Sequence, residues 1–218
     1  MRGDDRPAAG PVAGPAEPVY TEDVWRMYYH TPHDPDWTAN SYRSLGTIGT
    51  AGEFWALHDA IGDALRGGMF FLMRDNVFPC WDDPANIGGG AISFRLARDA
   101  AEGLWLGLCR ALLTERLMKD APDASRVCGV SMCPKGANCV VKVWLASSGG
   151  DAAAEAANML LPEYRGGVIY TSHMAQIRAS GGTGQPAQPA QRRLDPGAGW
   201  SRKGPAGRPD APLFSGRD

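Results

Sequence analysis

The sequence predicts an α+β domain in which an antiparallel β-sheet carries its helices on one face and leaves the other free for a ligand. Three observations lead there. Short apolar runs with strand-like alternation recur along the chain, they lie close together between isolated segments of helical periodicity, and turn-forming residues join them. The chain has 218 residues, enough for one ordinary domain with further length at its ends.

Residues 1–18 are dominated by Ala, Gly, Pro and charge, and residues 180–218 by Gly, Pro, Gln and Arg, so both are read as disordered tails. The domain is expected over residues 19–179. Residues 24–30 read as a strand, which the Pro32, Asp34 and Pro35 cluster ends in a loop carrying Trp37. Over residues 51–65, Phe54, Leu57, Ile61 and Leu65 step at helical spacing, with Trp55 displaced toward the outer side. Residues 69–73 form a short apolar strand. Arg74, Asp75 and Asn76 then turn the chain into a proline-stiffened loop over residues 77–81. Ile92, Phe94 and Leu96 alternate with Ser93, Arg95 and Ala97, the period of a strand with one buried face. Ala101, Leu104, Trp105, Leu108, Leu112 and Leu113 make a strongly amphipathic helix. Residues 126–133 and 140–146 read as two strands of a hairpin turning through residues 134–138. A third helix over residues 151–161 and a last short strand over 168–171 complete the set.

The net charge of −2 excludes a strongly basic protein that coats nucleic acid, so any such affinity must reside in a pocket. No run approaches the roughly 18 apolar residues of a membrane helix, and the start lacks the apolar centre of a signal peptide, so a soluble, cytoplasmic chain is expected. Cys80, Cys109, Cys128, Cys133 and Cys139 form no Cys-x-x-Cys pair and are read as reduced thiols. Nothing local supports Cys128 or Cys133 as a nucleophile paired with His173. His30, His33, His58 and His173 lack ligand spacing, so neither metal nor cofactor is expected. Gly88-Gly89-Gly90 has no following Lys-Ser/Thr and is read as a turn, not a phosphate loop.

Trp37, Trp81 and Trp200 lie in polar, loop-like stretches, and Trp81 stands beside Asp82 and Asp83. A methylated guanine offers a cationic face for stacking and two N–H donors for one carboxylate, which an indole next to an aspartate can satisfy. The plainer reading, Trp81 packed over Pro79 with the aspartates solvating a turn, fits the motif equally well. Lys135, Lys142 and Arg178 are candidate phosphate contacts, although each alone reads as a surface charge.

Trp25 with Tyr28-Tyr29, Trp37-Thr-Ala-Asn40, Glu53-Phe54-Trp55-Ala-Leu57, Phe78-Pro-Cys-Trp81-Asp82-Asp83, Asn86 with Gly89-Gly90, Trp105, Val127-Cys128-Gly129-Val130 and Val143-Trp144 together resemble the eukaryotic translation initiation factor 4E family. The resemblance spans about residues 25–178, in the family's order and near its spacings. It implies a curved antiparallel β-sheet with helices packed on its convex face and the messenger-RNA cap held on the concave side. By this resemblance Trp37 and Trp81 are the stacking pair, and Asp82 is the base-reading carboxylate where the family has Glu. Trp144 lies beside the methyl group, and Lys135 stands for a phosphate-binding arginine. Val140 occupies the place of a phosphate lysine, for which Lys142 on the same strand face substitutes. Arg178 is similar to a cation in the family's C-terminal loop. Trp55 and Leu106 match a surface that grips a Tyr-x-x-x-x-Leu helix of scaffolds and repressors, while Ala51, Arg110 and Thr114 depart from it. The implied function is that of a monomer binding the 7-methylguanosine 5′ cap for translation initiation without catalysing a reaction. Two alternatives stand beside it. One is a divergent homologue that occupies caps without the usual scaffold and represses or redirects translation; the other is a nucleotide-hydrolysing enzyme, for which the sequence shows no acidic cluster or activated nucleophile.

Overall fold

A computed structural model of the chain describes residues 17–160 and 167–181. Most of both expected tails, including Trp200, and the expected end of the third helix lie outside the described residues. Seven strands form one antiparallel sheet in the order β2-β1-β3-β5-β6-β4-β7. They are β1 (Tyr20–His30), β2 (Arg43–Thr50), β3 (Met69–Arg74), β4 (Gly90–Ala97), β5 (Val127–Lys135), β6 (Asn138–Leu145) and β7 (Val168–Ser172). The helices are α1 (Ala51–Ile61), α2 (Arg98–Leu113), α3 (Ala121–Ala124), α4 (Ala152–Ala157) and α5 (His173–Ala179). The sheet is open and curved, with β2 and β7 at its edges.

Alternation along each strand divides the apolar residues between two faces. Phe70 and Leu72 of β3, Val130 and Met132 of β5, and Val141 and Val143 of β6 join Phe54 of α1 and Leu104, Trp105 and Leu108 of α2 in the main core. Met69, Phe71 and Met73 point the other way, into a second cluster with Tyr28, Trp81, Cys133 and Trp144. In β5 the register shifts between Val127 and Gly129, which lets Cys128 join the second cluster although Val130 faces the first.

Local chemistry explains where the elements begin. At the start of α1 the Thr50 side chain accepts from Glu53 N, and Glu53 Oε2 accepts from the Thr50 and Gly49 amides at 2.9 and 2.8 Å, a reciprocal cap. The β5–β6 hairpin closes between Lys135 and Asn138, with Gly136 at φ 62°, the left-handed conformation its turn requires. The glycine triplet is a close-approach device. A Cβ on Gly89 would lie 1.8 Å from the Leu145 carbonyl oxygen, and one on Gly90 2.6 Å from that of Thr171.

The structure adds the short α3, which the sequence reading did not expect, and differs from expectation at three further places. β2 has one fully buried residue, Ile48, among small and polar neighbours, so its apolar signal is weak at the sheet edge. The third helix, α4, ends at Ala157, short of the expected 161. Residues 173–179, expected within the domain but given no element of their own, form α5, which Ser172 caps through the Ala175 amide. Unlike α1 and α2, α5 packs Ile177 against the second cluster, on the face opposite the main core.

Candidate functional site

On that second face a cavity of about 200 Å³ opens among Trp37, Tyr42, Phe71, Cys80, Trp81, Ser131, Cys133, Lys135, Val140, Lys142 and Trp144. β6 supplies three of these at alternate positions, Val140, Lys142 and Trp144, so the expected shared face of Val140 and Lys142 is observed.

Trp37 sits on a loop fixed by aspartate turns. Asp34 accepts from the Asp36 amide at 2.9 Å and Asp36 from the Thr38 amide at 2.8 Å. One face of the Trp37 indole lies on His30, with ring centroids 4.1 Å apart and planes 8° from parallel. His30 Nε2 in turn meets the Asp36 carbonyl at 2.7 Å. Tyr42 ties this loop to the next, its hydroxyl donating to the Pro79 carbonyl at 3.2 Å. Burial holds the Tyr42 phenol well above its ordinary pKa. Sequence reasoning missed both His30 and Tyr42; strand alternation from Tyr28 was the available signal for His30.

Trp81 is 5% exposed and packs into the second cluster, although the stretch that carries it is polar and loop-like. Its loop is held from behind, where Asn86 donates to the carbonyls of Phe78 and Cys80 at 2.9 and 2.8 Å. Asp83 accepts from the Phe78 and Ala85 amides at 3.1 and 2.9 Å, so both its oxygens serve the turn. Asp82 is exposed at the rim and does not line the cavity. Burial and a hydrogen bond to the Asp82 carboxylate push the Cys80 thiol up to about 12.

At the deep end Trp144 is 3% exposed, and its indole N–H donates to Ser131 Oγ at 2.9 Å. Behind it lies His173, ring centroids 4.9 Å apart. His173 Nδ1 donates to the Asn86 carbonyl at 2.8 Å, which fixes the tautomer, and burial lowers its pKa to about 4. Lys135 and Lys142 both line the cavity, and burial lowers the pKa of Lys142. Arg178 is exposed on α5 and does not line the cavity, so the expected cationic trio is brought together only in part.

The remaining candidates fall elsewhere. Trp55 is 41% exposed on α1, in line with its displaced helical phase, whereas Leu106 is partly buried against the main core. Arg110 and Thr114 are exposed at the end of α2. Cys128 hydrogen-bonds the Ala85 carbonyl at 3.6 Å, and burial pushes its thiol up to about 11. Burial also raises Cys133, so neither is an activated thiolate. Among the described residues no three His, Cys, Asp or Glu side chains converge to hold a metal ion.

The sequence profile described as eukaryotic initiation factor 4E matches residues 20–181. Eukaryotic translation initiation factor 4E-1 of Oryza sativa subsp. japonica is 27% identical over 156 residues, covering 69% of this chain and 67% of the relative. Its Caenorhabditis elegans counterpart is 27% identical over 142 residues, covering 61% and 64%. The chain therefore spans about two thirds of the length of the curated relatives it matches. The C. elegans eIF4E-3 structure in complex with the 4E-binding protein Mextli aligns with TM-score 0.62 at 16% identity, over 74% of this chain and 97% of that one. Ascaris suum eIF4E-3 with m7G cap aligns at 0.55 and 20%, over 63% and 79%. Schistosome eIF4E with m7GpppG and 4E-BP aligns at 0.56 and 20%, over 65% and 79%. At these identities the structural likeness shows the fold.

Proposed function

The chain belongs to the eukaryotic initiation factor 4E family, and from that premise we propose that it binds the 7-methylguanosine 5′ cap of messenger RNA in this cavity, for translation initiation. The observation that carries the reading is one cavity, on the face opposite the main core, lined by three tryptophans and two lysines. Aromatic faces hold a cationic base and ammonium groups hold its phosphates. The Ascaris and schistosome relatives have cap ligands in their structures, which supports the same use here.

In this reading the base stacks between Trp37 and Trp81. His30 holds Trp37 from behind, so its ring is ordered before the base arrives. Trp81 has to expose a face, and the loop over residues 77–81 moves outward to let the base in. Asp82 then accepts from the base edge. It is one methylene shorter than Glu, and a small shift of its loop makes up the missing reach. Trp144 closes the end beside the N7 substituent, and Lys135 and Lys142 meet the phosphates, with Arg178 on α5 available to a longer chain. Binding is the whole of the proposed activity, carried by a monomeric domain over residues 19–179 acting in the cytoplasm.

Titration of the folded chain with 7-methyl-GTP, followed by tryptophan fluorescence and calorimetry, tests the proposal. Saturable one-to-one binding with quenching is expected; its absence overturns the reading. Scaffold recruitment is a separate matter. The exposure of Trp55 favours docking of a Tyr-x-x-x-x-Leu helix, and the charge of Arg110 on α2 favours a homologue that occupies caps without it. A pull-down with such a peptide, with Trp55→Ala as control, separates the two.

A further inference from the structure

The strand register gives the cavity floor a polarity that stacking does not account for. Ser131 of β5 pairs directly with Lys142 of β6, and Gly129 pairs with Trp144. The Ser131–Lys142 row is therefore two residues, about 7 Å, from the row of Trp144, but four residues, about 13 Å, from Lys135 at the hairpin end. The backbone of Lys142 therefore lies between the Trp144 row and the hairpin end, nearer to Trp144.

Ser131 is fully buried and its oxygen already accepts the Trp144 indole N–H, so its own hydroxyl proton is left to donate elsewhere. Among the described residues none accepts from that hydroxyl, and none offers the Lys142 ammonium a carboxylate. Burial lowers the Lys142 pKa, with the nearby charge of Lys135 adding to the shift and Cys133 opposing it. Two donors thus extend from directly paired positions on the cavity floor. The edge of a purine that complements two donors is that of unmethylated guanine, whose N7 and O6 both accept, and lysine is a regular partner of that edge. A methyl group on N7 removes one acceptor and adds positive charge in front of an ammonium.

We propose that the Ser131–Lys142 pair makes this pocket a weak discriminator of N7 methylation, holding an unmethylated guanine nucleotide by its N7 edge as well as the methylated cap. The inference rests on the cap-binding reading above, with the N7 side of the base toward Trp144. Stacking favours the methylated, cationic ring, while the floor favours the unmethylated one, and the two preferences oppose each other.

The test compares 7-methyl-GTP with GTP by calorimetry at one salt concentration, on the full chain and on Lys142→Met and Ser131→Ala. Both nucleotides carry the same triphosphate, so their affinity ratio isolates the base. The wild type is expected to bind the two within about tenfold of each other, and Lys142→Met to shift the ratio about tenfold toward the methylated nucleotide. Ser131→Ala should shift it the same way by less. A wild-type preference for 7-methyl-GTP of roughly a hundredfold or more overturns the proposal, and needs no variant to fold. So does a Lys142→Met variant that weakens both nucleotides equally, since Lys142 would then serve phosphate alone. Binding of neither nucleotide to the folded wild type would overturn the cap-binding reading itself, and this inference with it.

Discussion

With His30 behind it at 4.1 Å, Trp37 is a half-buried side chain on a surface loop, and it can be removed without opening the core. Trp37→Ala is expected to weaken 7-methyl-GTP binding by roughly 1 to 3 kcal/mol with the urea midpoint little changed. Trp81 is 5% exposed within the second cluster, so Trp81→Ala should cost about 3 to 5 kcal/mol of stability as well as affinity. Equal stability of the two variants would show that Trp81 is not packed as described. The neighbouring aspartates divide in the same manner. Asp82→Asn is expected to lower affinity by about 1.5 to 3 kcal/mol without destabilising the fold, because it replaces an acceptor with a donor at the rim. Asp83→Asn should lower stability first, since its oxygens accept two backbone amides. The opposite pattern in paired titration and denaturation experiments would exchange their roles. His173 brings a pH dependence. Its folded pKa of about 4 lies below the unfolded value of 6.5, so the unfolded chain binds the proton more readily between those limits. Stability is full above pH 6.5, falls by about 3 kcal/mol as pH drops to 4, and loses nothing more from this group below that. His173→Gln should remove that slope from urea midpoints measured across the window.

Among the elements, the clearest sequence signals were those whose burial is one-sided and complete. β3, β4 and α2 carry periodic apolar residues that pack into the main core, and their positions were legible to within a few residues. β2 was not, because an edge strand with one fully buried residue needs little apolar patterning. α5 was hidden for a different reason. Its seven residues include one buried side chain, His173, and its docking on the second cluster is a tertiary event. The glycine triplet before β4 had a visible composition and an invisible cause. Gly89→Ala would drive a methyl group into the Leu145 carbonyl, so the strand has to shift or the β6 contact to open. A loss on the order of 2 to 4 kcal/mol is expected, read as a lower urea midpoint at unchanged slope. A neutral substitution would mean that the chain before β4 is free to move away from β6.

At the scale of the molecule, a chain of net charge −2 has to concentrate its cations locally to hold a phosphate chain. In the proposed reading, affinity should rise from the mono- to the triphosphate cap analogue and fall with added salt, and Lys135→Ala should flatten both trends. Arg178→Ala should have the smaller effect, because α5 leaves it outside the cavity. Salt-dependent calorimetry of the two variants checks the order, and a larger loss for Arg178 would mean that α5 closes over the phosphates. The amino-acid sequence alone determined the α+β class, the strands and helices with strong periodicity, and, through the order of its tryptophan motifs, the family. Those are properties of residue type and spacing, and they survive any rearrangement in space. Only the tertiary structure decided that Trp81 is buried, that Asp83 belongs to its turn, that His30 backs Trp37, and that Ser131 and Lys142 share one row of the floor. Each of these depends on which strands become neighbours and in what register. That is settled by packing across the whole sheet, between residues far apart in the chain, and no local pattern records it.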